Sequence, residues 1–309
     1  MKKSLVAVAT ICALALTACG SNNIPVTPAT SAAAASYPIT VSNNSADVTF
    51  NSAPVSIISL SPTATEMLFA IGAGHEVIAV DDQSTYPASA PISSLSGFTP
   101  NLEAIVSMRP DLVVVSNDID NIVSSLRTAK IPVLVEPAAT TLADAYAQIR
   151  ELGLVTDHAA EADSLATEMK SKIDAQIASI SPAAKGLTFY HELDNTMYTV
   201  TSTTFIGSIY ALAGLVNIAD KSPDASSGYP QLSAEFIVKS SPDLIFLADN
   251  KCCSVTAAEL AKRPGMSALK ALTNDNVNMI DDDISSRWGP RTVDLVTAIV
   301  AAVNKAAGK

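Results

Sequence analysis

The chain is 309 residues long, 48% hydrophobic and only 16% charged. That length exceeds what one hydrophobic core supports, so it predicts two lobes, and the apolar content excludes a chain that is disordered for most of its length. With 19 basic against 30 acidic residues the net charge is −11, which repels a phosphate backbone and argues against nucleic acid as a partner.

Lys2 and Lys3 precede an apolar run from Leu5 to Leu16, too short for a permanent bilayer span and suited to a secretory signal. The run closes on Leu16-Thr17-Ala18-Cys19, which resembles a bacterial lipobox. The resemblance implies a signal peptide over 1–18, cleaved before a Cys19 that is diacylated on sulfur and anchors the mature protein to the cell membrane. An ordinary signal peptide with a chance cysteine explains less, because small residues precede Cys19 and a polar stretch follows it. Residues 20–38 are rich in Ser, Asn, Ala, Thr and Pro with no apolar period, so 19–38 read as a flexible, lipidated tether. Folding is expected to begin near Ile39, and no later apolar run is long enough to span a membrane.

An internal repeat gives the architecture. The segment from Asn101 to Asp118 aligns without gaps with that from Ser233 to Asn250, with Glu103/Glu235, Ile105/Ile237, Val106/Val238 and Pro110-Asp111-Leu112/Pro242-Asp243-Leu244 identical. Each copy predicts a short helix capped by Asn101 or Ser233, a Pro-Asp turn, and an apolar strand buried on both faces. Upstream of each lies another strand-to-helix unit: Val55–Leu60 then Thr63–Ile71, and Leu187–Tyr190 then Phe205–Ala213. Two similar α/β lobes follow from this order.

Between them Ala162, Leu165, Met169, Ile173, Ile177 and Ile180 recur at helical spacing, with no Gly or Pro from Asp157 to Ser181. One long helix is expected, roughly 35 Å at 1.5 Å per residue, stiff enough to keep lobe closure small. The domain plan is therefore an N-terminal lobe over 39–152, an interlobe helix over 153–182 and a C-terminal lobe over 183–309.

The acidic run Asp281-Asp282-Asp283 and the following Ile284-Ser285-Ser286-Arg287-Trp288-Gly289-Pro290-Arg291 lie between a short strand, Val277–Ile280, and a helix from about Pro290. Ligands of open α/β sheets gather at such strand-to-helix loops. Trp288, the one tryptophan, fits either a ligand-facing loop position or a plug in the C-lobe core. His191, at the end of the first strand of the second lobe, suits either a hydrogen-bonded core position or an axial ligand to haem iron or cobalt. The three histidines are too scattered for a naked metal-ion site. Cys252-Cys253 reads as a vicinal disulfide or as two buried thiols. No nucleophile elbow, phosphate loop, His-Glu-x-x-His or dinucleotide fingerprint occurs, which disfavours an extracytoplasmic hydrolase. A structural lipoprotein explains the anchor but not two lobes.

The lipobox, the paired lobes, the spanning helix, the opening Ile58-Ser59-Leu60-Ser61-Pro62-Thr63-Ala64-Thr65-Glu66 and the phrase Pro100-Asn101-Leu102-Glu103-Ala104-Ile105 together resemble the class III, helical-backbone substrate-binding proteins of bacterial ABC importers. These bind cobalamin, ferric siderophores or haem. The resemblance, which covers about residues 54 to 305, implies an α/β fold of two Rossmann-like lobes with a ligand cleft between them. It implies a monomeric binding protein rather than an enzyme, with no resident cofactor and a cobalt or iron chelate as cargo. Its partners are then an ABC permease and, through it, an ATPase. Glu103 and Glu235 match the acidic residues that dock the permease. Asp283 and Arg287 resemble the pair that reaches corrin side chains in cobalamin binders, whose amides suit an acceptor beside a donor. Tyr229 matches an aromatic, ligand-facing position of cobalamin binders and Phe98 sits near another, and both rings suit stacking on a flat macrocycle. Ser116 and Gln83 stand where cobalamin binders carry further aromatics, which makes the pocket more polar and keeps ferric siderophores close behind corrinoids, with haem third.

Overall fold

The computed structural model describes residues 36–44 and 46–308. The expected signal peptide, Cys19 and nearly all of the tether lie outside the described residues. The described chain starts in contact with the first lobe: Tyr37 packs on its core and donates from its hydroxyl to the Val155 carbonyl at 2.8 Å.

The first lobe opens with an antiparallel hairpin, β1 (Ile39–Asn43) and β2 (Ala46–Phe50), whose alternate residues enter the core. There follow β3 (Ile57–Leu60), α1 (Pro62–Ala70), β4 (Val77–Val80), α2 (Leu102–Ser107), β5 (Leu112–Val115), α3 (Ile122–Thr128) and β6 (Val133–Val135). All four strands β3–β6 are parallel, in the order β4-β3-β5-β6. β3 and β5 are buried at every position, as continuous apolar runs covered on both faces must be.

Two helices then lie side by side: α4 (Leu142–Val155) and α5 (Ala159–Ala178). The interlobe helix expected over 153–182 is shorter than that. Residues 153–155 finish α4, Thr156 caps it by donating from Oγ1 to the Leu152 carbonyl at 2.7 Å, and Asp157 turns at φ 63°. Aspartate tolerates the left-handed region without help from Gly, which is why the sequence shows no break there. At the other end Ser181 is extended before Pro182, as the pyrrolidine ring requires. The 20 residues that remain are uninterrupted and span about 30 Å. Ala162, Ala166 and Met169 pack in the first-lobe core, while Ile173 packs in the second.

The second lobe contains β7 (Thr188–Glu192), α6 (Phe205–Leu212), β8 (Val216–Asn217), α7 (Ala234–Ser240), β9 (Leu244–Leu247), α8 (Asn250–Cys253), α9 (Ala257–Lys262), α10 (Lys270–Thr273), β10 (Val277–Met279), α11 (Asp282–Ser286) and α12 (Thr292–Ala306). Its parallel sheet runs β8-β7-β9-β10, the same topology as the first. α12 lies against α5, joined by Gln176 to Thr297 at 2.7 Å.

The repeat is structural as well as sequential. Asn101 and Ser233 cap α2 and α7 by accepting from the amides of Ala104 and Phe236. Each helix is followed by a left-handed residue, Arg109 at φ 52° and Ser241 at φ 41°, and then the proline. Asp111 accepts from the amide and hydroxyl of Ser56 at 3.0 and 2.8 Å, and Asp243 from those of Thr188, both at 2.8 Å. The Pro-Asp turn therefore pins the start of the first parallel strand in each lobe.

Candidate functional site

Loops at the carboxyl ends of the strands build the cleft, where open parallel sheets place ligands. A cavity of about 290 Å³ is lined from the first lobe by the turn Leu60–Thr63, by Asp81 and Gln83 after β4, by Gly97 and Phe98, and by Ser116 and Asn117 after β5. Asp283, Ser286, Arg287 and Trp288 line it from the second lobe. Gly97 permits the close seating of its loop: a Cβ there would stand 2.7 Å from the Leu60 carbonyl oxygen and 2.9 Å from Asp81 Oδ2.

The segment predicted as a loop, 281–291, contains the short helix α11. Asp281 caps it by accepting from the amides of Asp283 and Ile284 at 3.0 and 3.2 Å. Arg287 leaves its end and is only 8% exposed. Its guanidinium donates to Glu66 Oε1 at 2.8 Å, to the Gln83 carbonyl at 3.0 Å and to Asp283 Oδ1 at 3.0 Å. Arg291 reaches the same carboxylate, with Nε 3.0 Å from Glu66 Oε2, and its guanidinium covers the Tyr86 ring at 4.4 Å. Glu66 sits in α1 of the first lobe and is 2% exposed. A buried carboxylate from one lobe thus holds two arginines from the other. Arg287 forms part of the cavity wall, while its Nη1 and Nη2 are engaged within the protein and Nη2 also holds Asp283.

Trp288 takes both positions considered for it. The ring lines the cavity and packs against both cores, and its Nε1 donates to Gln148 Oε1 of α4 at 2.7 Å. Phe98 is 70% exposed at the cavity rim. Tyr229 is on the second lobe, 48% exposed and outside the wall of this cavity. Its segment runs antiparallel to that of Tyr198, with the Thr199 amide donating to the Pro230 carbonyl at 3.0 Å.

His191 does not reach the cleft. It is fully buried in the second lobe, with Nδ1 2.8 Å from the Tyr210 hydroxyl and its ring edge-on to that tyrosine. Desolvation pushes its pKa down to about 3, so it is a neutral core residue. Beneath the second-lobe loops Arg263 clamps Glu192 with two hydrogen bonds of 2.7 and 2.6 Å. Burial, with Glu192 alongside, raises the carboxyl of Asp249.

Cys252 and Cys253 are joined as a vicinal disulfide in α8 rather than held as buried thiols. The amides of Lys251 and Cys252 donate to the Asp282 carboxylate at 3.2 and 2.9 Å, and Lys251 Nζ pairs with Asp281 and Asp283 at 2.7 and 3.0 Å. The acidic run is a set of caps and ties rather than a solvated loop. Glu103 and Glu235 are exposed in the first turns of α2 and α7, at equivalent positions of the two lobes.

Two residues of the cleft escaped the sequence reading. Glu66 stood in the motif quoted above, yet nothing local marks its partners more than two hundred residues away. Asp81 is 4% exposed, lines the cavity, has its carboxyl raised chiefly by burial, and leaves Oδ1 without a hydrogen-bond partner. Such a group suits a ligand N–H or O–H.

Two parallel-sheet lobes, a continuous helix between them and a cleft walled by both define a binding protein of the helical-spine type. The profile of the periplasmic binding protein family matches residues 57–284, and the chain belongs to that family. Among its relatives, a cobalamin-binding protein of Halobacterium salinarum is 31% identical, over 84% of this chain and 73% of that one. An uncharacterized ABC transporter substrate-binding lipoprotein of Bacillus subtilis, YvrC, is 30% identical over 86% of both chains. The crystal structure of the periplasmic vitamin B12 binding protein BtuF of Vibrio cholerae superimposes with a TM-score of 0.70 at 25% identity, covering 83% of this chain and 99% of that one. The protein is accordingly the substrate-binding component of an ABC importer, acts outside the cytoplasm with a permease, and is not an enzyme. No helix among the described residues is long and apolar enough to cross a membrane.

Proposed function

We propose that the chain is a monomeric receptor, tethered to the membrane through a lipidated Cys19, that captures a cobalt or iron chelate and delivers it to its permease, with a corrinoid as the favoured cargo. The observation that carries this reading is a cleft walled by both lobes and furnished with acceptors for amide N–H groups. Asp81 and Asp283 accept, Gln83 and Asn117 both accept and donate, and the rings of Phe98 and Tyr229 stand exposed nearby. A cavity of about 290 Å³ takes the substituents of a large chelate, while the flat body of the chelate lies outside against the aromatic rings. Relatives whose names specify cobalamin and vitamin B12 support the corrinoid. A ferric siderophore is the second reading, favoured by the polar lining at Gln83 and Ser116. Haem ranks third, because the histidine considered for its iron is enclosed in the core.

Calorimetric titration of the purified mature protein with cyanocobalamin, a ferric hydroxamate and hemin tests the proposal. One-to-one binding of cyanocobalamin at micromolar affinity or tighter, about −8 kcal/mol or better, is expected. Binding of only the hydroxamate or hemin overturns the corrinoid assignment, and heatless titrations with all three overturn the chelate reading.

A further inference from the structure

The vicinal disulfide is placed where it touches the cleft through one short chain of contacts. Cys252 is exposed and Cys253 half-buried, so the bridge is open to a reductant in solution. The strap that carries it, α8, meets the rim helix α11 through two amides on Asp282 and one ammonium group on Asp281 and Asp283. That rim helix in turn supplies Asp283 and leads into Arg287 and Trp288, all three on the cavity wall. Closing adjacent cysteines into an eight-membered ring restricts the backbone between them, and one of the two amides that hold Asp282 belongs to Cys252 itself.

We propose that the Cys252–Cys253 disulfide is a redox brace that holds the cleft rim in its binding geometry, released by reduction with an extracytoplasmic dithiol. In the releasing step a thiolate of the dithiol attacks the exposed Cys252 Sγ, the bond to Cys253 Sγ breaks, and Cys253 leaves as a thiolate that takes a proton. The second thiol of the reductant then displaces Cys252 from the mixed disulfide. Two electrons and two protons pass to the cysteines, and the dithiol becomes a disulfide. The freed 252–253 backbone relaxes, its amides leave Asp282, and the rim from Asp281 to Gly289 loosens.

The test is independent of cargo identity, because the chain's one tryptophan sits on the rim itself. The full-length mature protein is compared before and after dithiothreitol, with mass spectrometry of alkylated thiols confirming the redox state. Reduction is expected to raise acrylamide quenching of Trp288 about twofold and to speed amide exchange across residues 281–289 about tenfold, as local opening requires. Asp282→Asn in the oxidised protein is expected to produce the same loosening, with little further change on reduction. Unaltered quenching and exchange in protein shown to carry two free thiols overturns the proposal. So does a reduction response in Asp282→Asn as large as that of the wild type. Two alkylatable thiols in protein purified without reductant and denatured remove its premise.

Discussion

Replacing Glu66 by Gln tests how the lobes are held. The carboxylate is 2% exposed, and the arginine side chains it binds, Arg287 and Arg291, are 8% and 16% exposed. Pairs this buried are little screened by solvent, so removing the anion takes the carboxylate partner from Arg291 and leaves Arg287 with Asp283 and the Gln83 carbonyl alone. Breaking a buried pair from one side costs about 3–5 kcal/mol, most of it from the charge left behind. For a folded unit of this size that predicts a fall in Tm of roughly 6–20 °C, with the urea m-value unchanged. The double variant Glu66→Gln/Arg287→Met is expected to recover part of the loss, because it removes one of the two buried cations that the anion balanced. Differential scanning calorimetry and urea titration of the three proteins give the answer. A Tm within about 2 °C of wild type for Glu66→Gln would show that the lobes are held by apolar packing alone.

Three further outcomes follow from the structure. His191 is neutral in the folded protein down to a pKa of about 3, whereas an unfolded histidine takes its proton near pH 6.5. The unfolded state thus binds more protons between those values, and stability falls as pH drops through that window by up to ~1.4 kcal/mol per unit; His191→Gln should flatten this acid limb in urea titrations from pH 7 to 4, and parallel curves would refute the assignment. At Gly153 a Cβ would overlap that of Ala162 and stand 2.9 Å from the His158 carbonyl. Gly153→Ala should therefore lower stability by about 1–3 kcal/mol despite its better helix propensity, and a stabilised variant would mean that α4 and α5 part freely. Reversing the two exposed acids expected to meet the permease, Glu103→Arg with Glu235→Arg, should leave cyanocobalamin affinity within about twofold while abolishing uptake in cells; normal uptake would rule out that contact.

The duplicated plan was legible because the same physical task recurs at the same register. Pro110-Asp111 and Pro242-Asp243 announce a turn, and Ser56 and Thr188 supply the groups those aspartates pin. The fully apolar strands were legible for a related reason, since a strand covered on both faces carries no polar alternation. What could not be read were the pairings set by tertiary approach. Arg287 was assigned to the ligand through its resemblance to the corrin-contacting arginine of cobalamin binders, whereas the carboxylate it binds sits on a helix at the other end of the chain. The break at Asp157 carries no Gly or Pro, and the hairpin β1–β2 is too short for its pattern to stand out. His191 fitted either a hydrogen-bonded core position or the cleft from its place at a strand end, and Tyr210 of α6 folds over it on the core side. The redox state of Cys252 and Cys253 depends on their surroundings, and both states fitted the sequence.

A continuous spine and the Glu66 tie between the lobes resist bending at the mouth, so its width is expected to be largely set before any cargo arrives. A receptor whose jaws are set in advance selects by gauge: a guest narrower than the gap cannot touch both walls, and a wider one cannot enter. If cargo leaves the lobes where they stand, a transporter would tell a loaded receptor from an empty one by the guest's own protruding surface rather than by a change of posture.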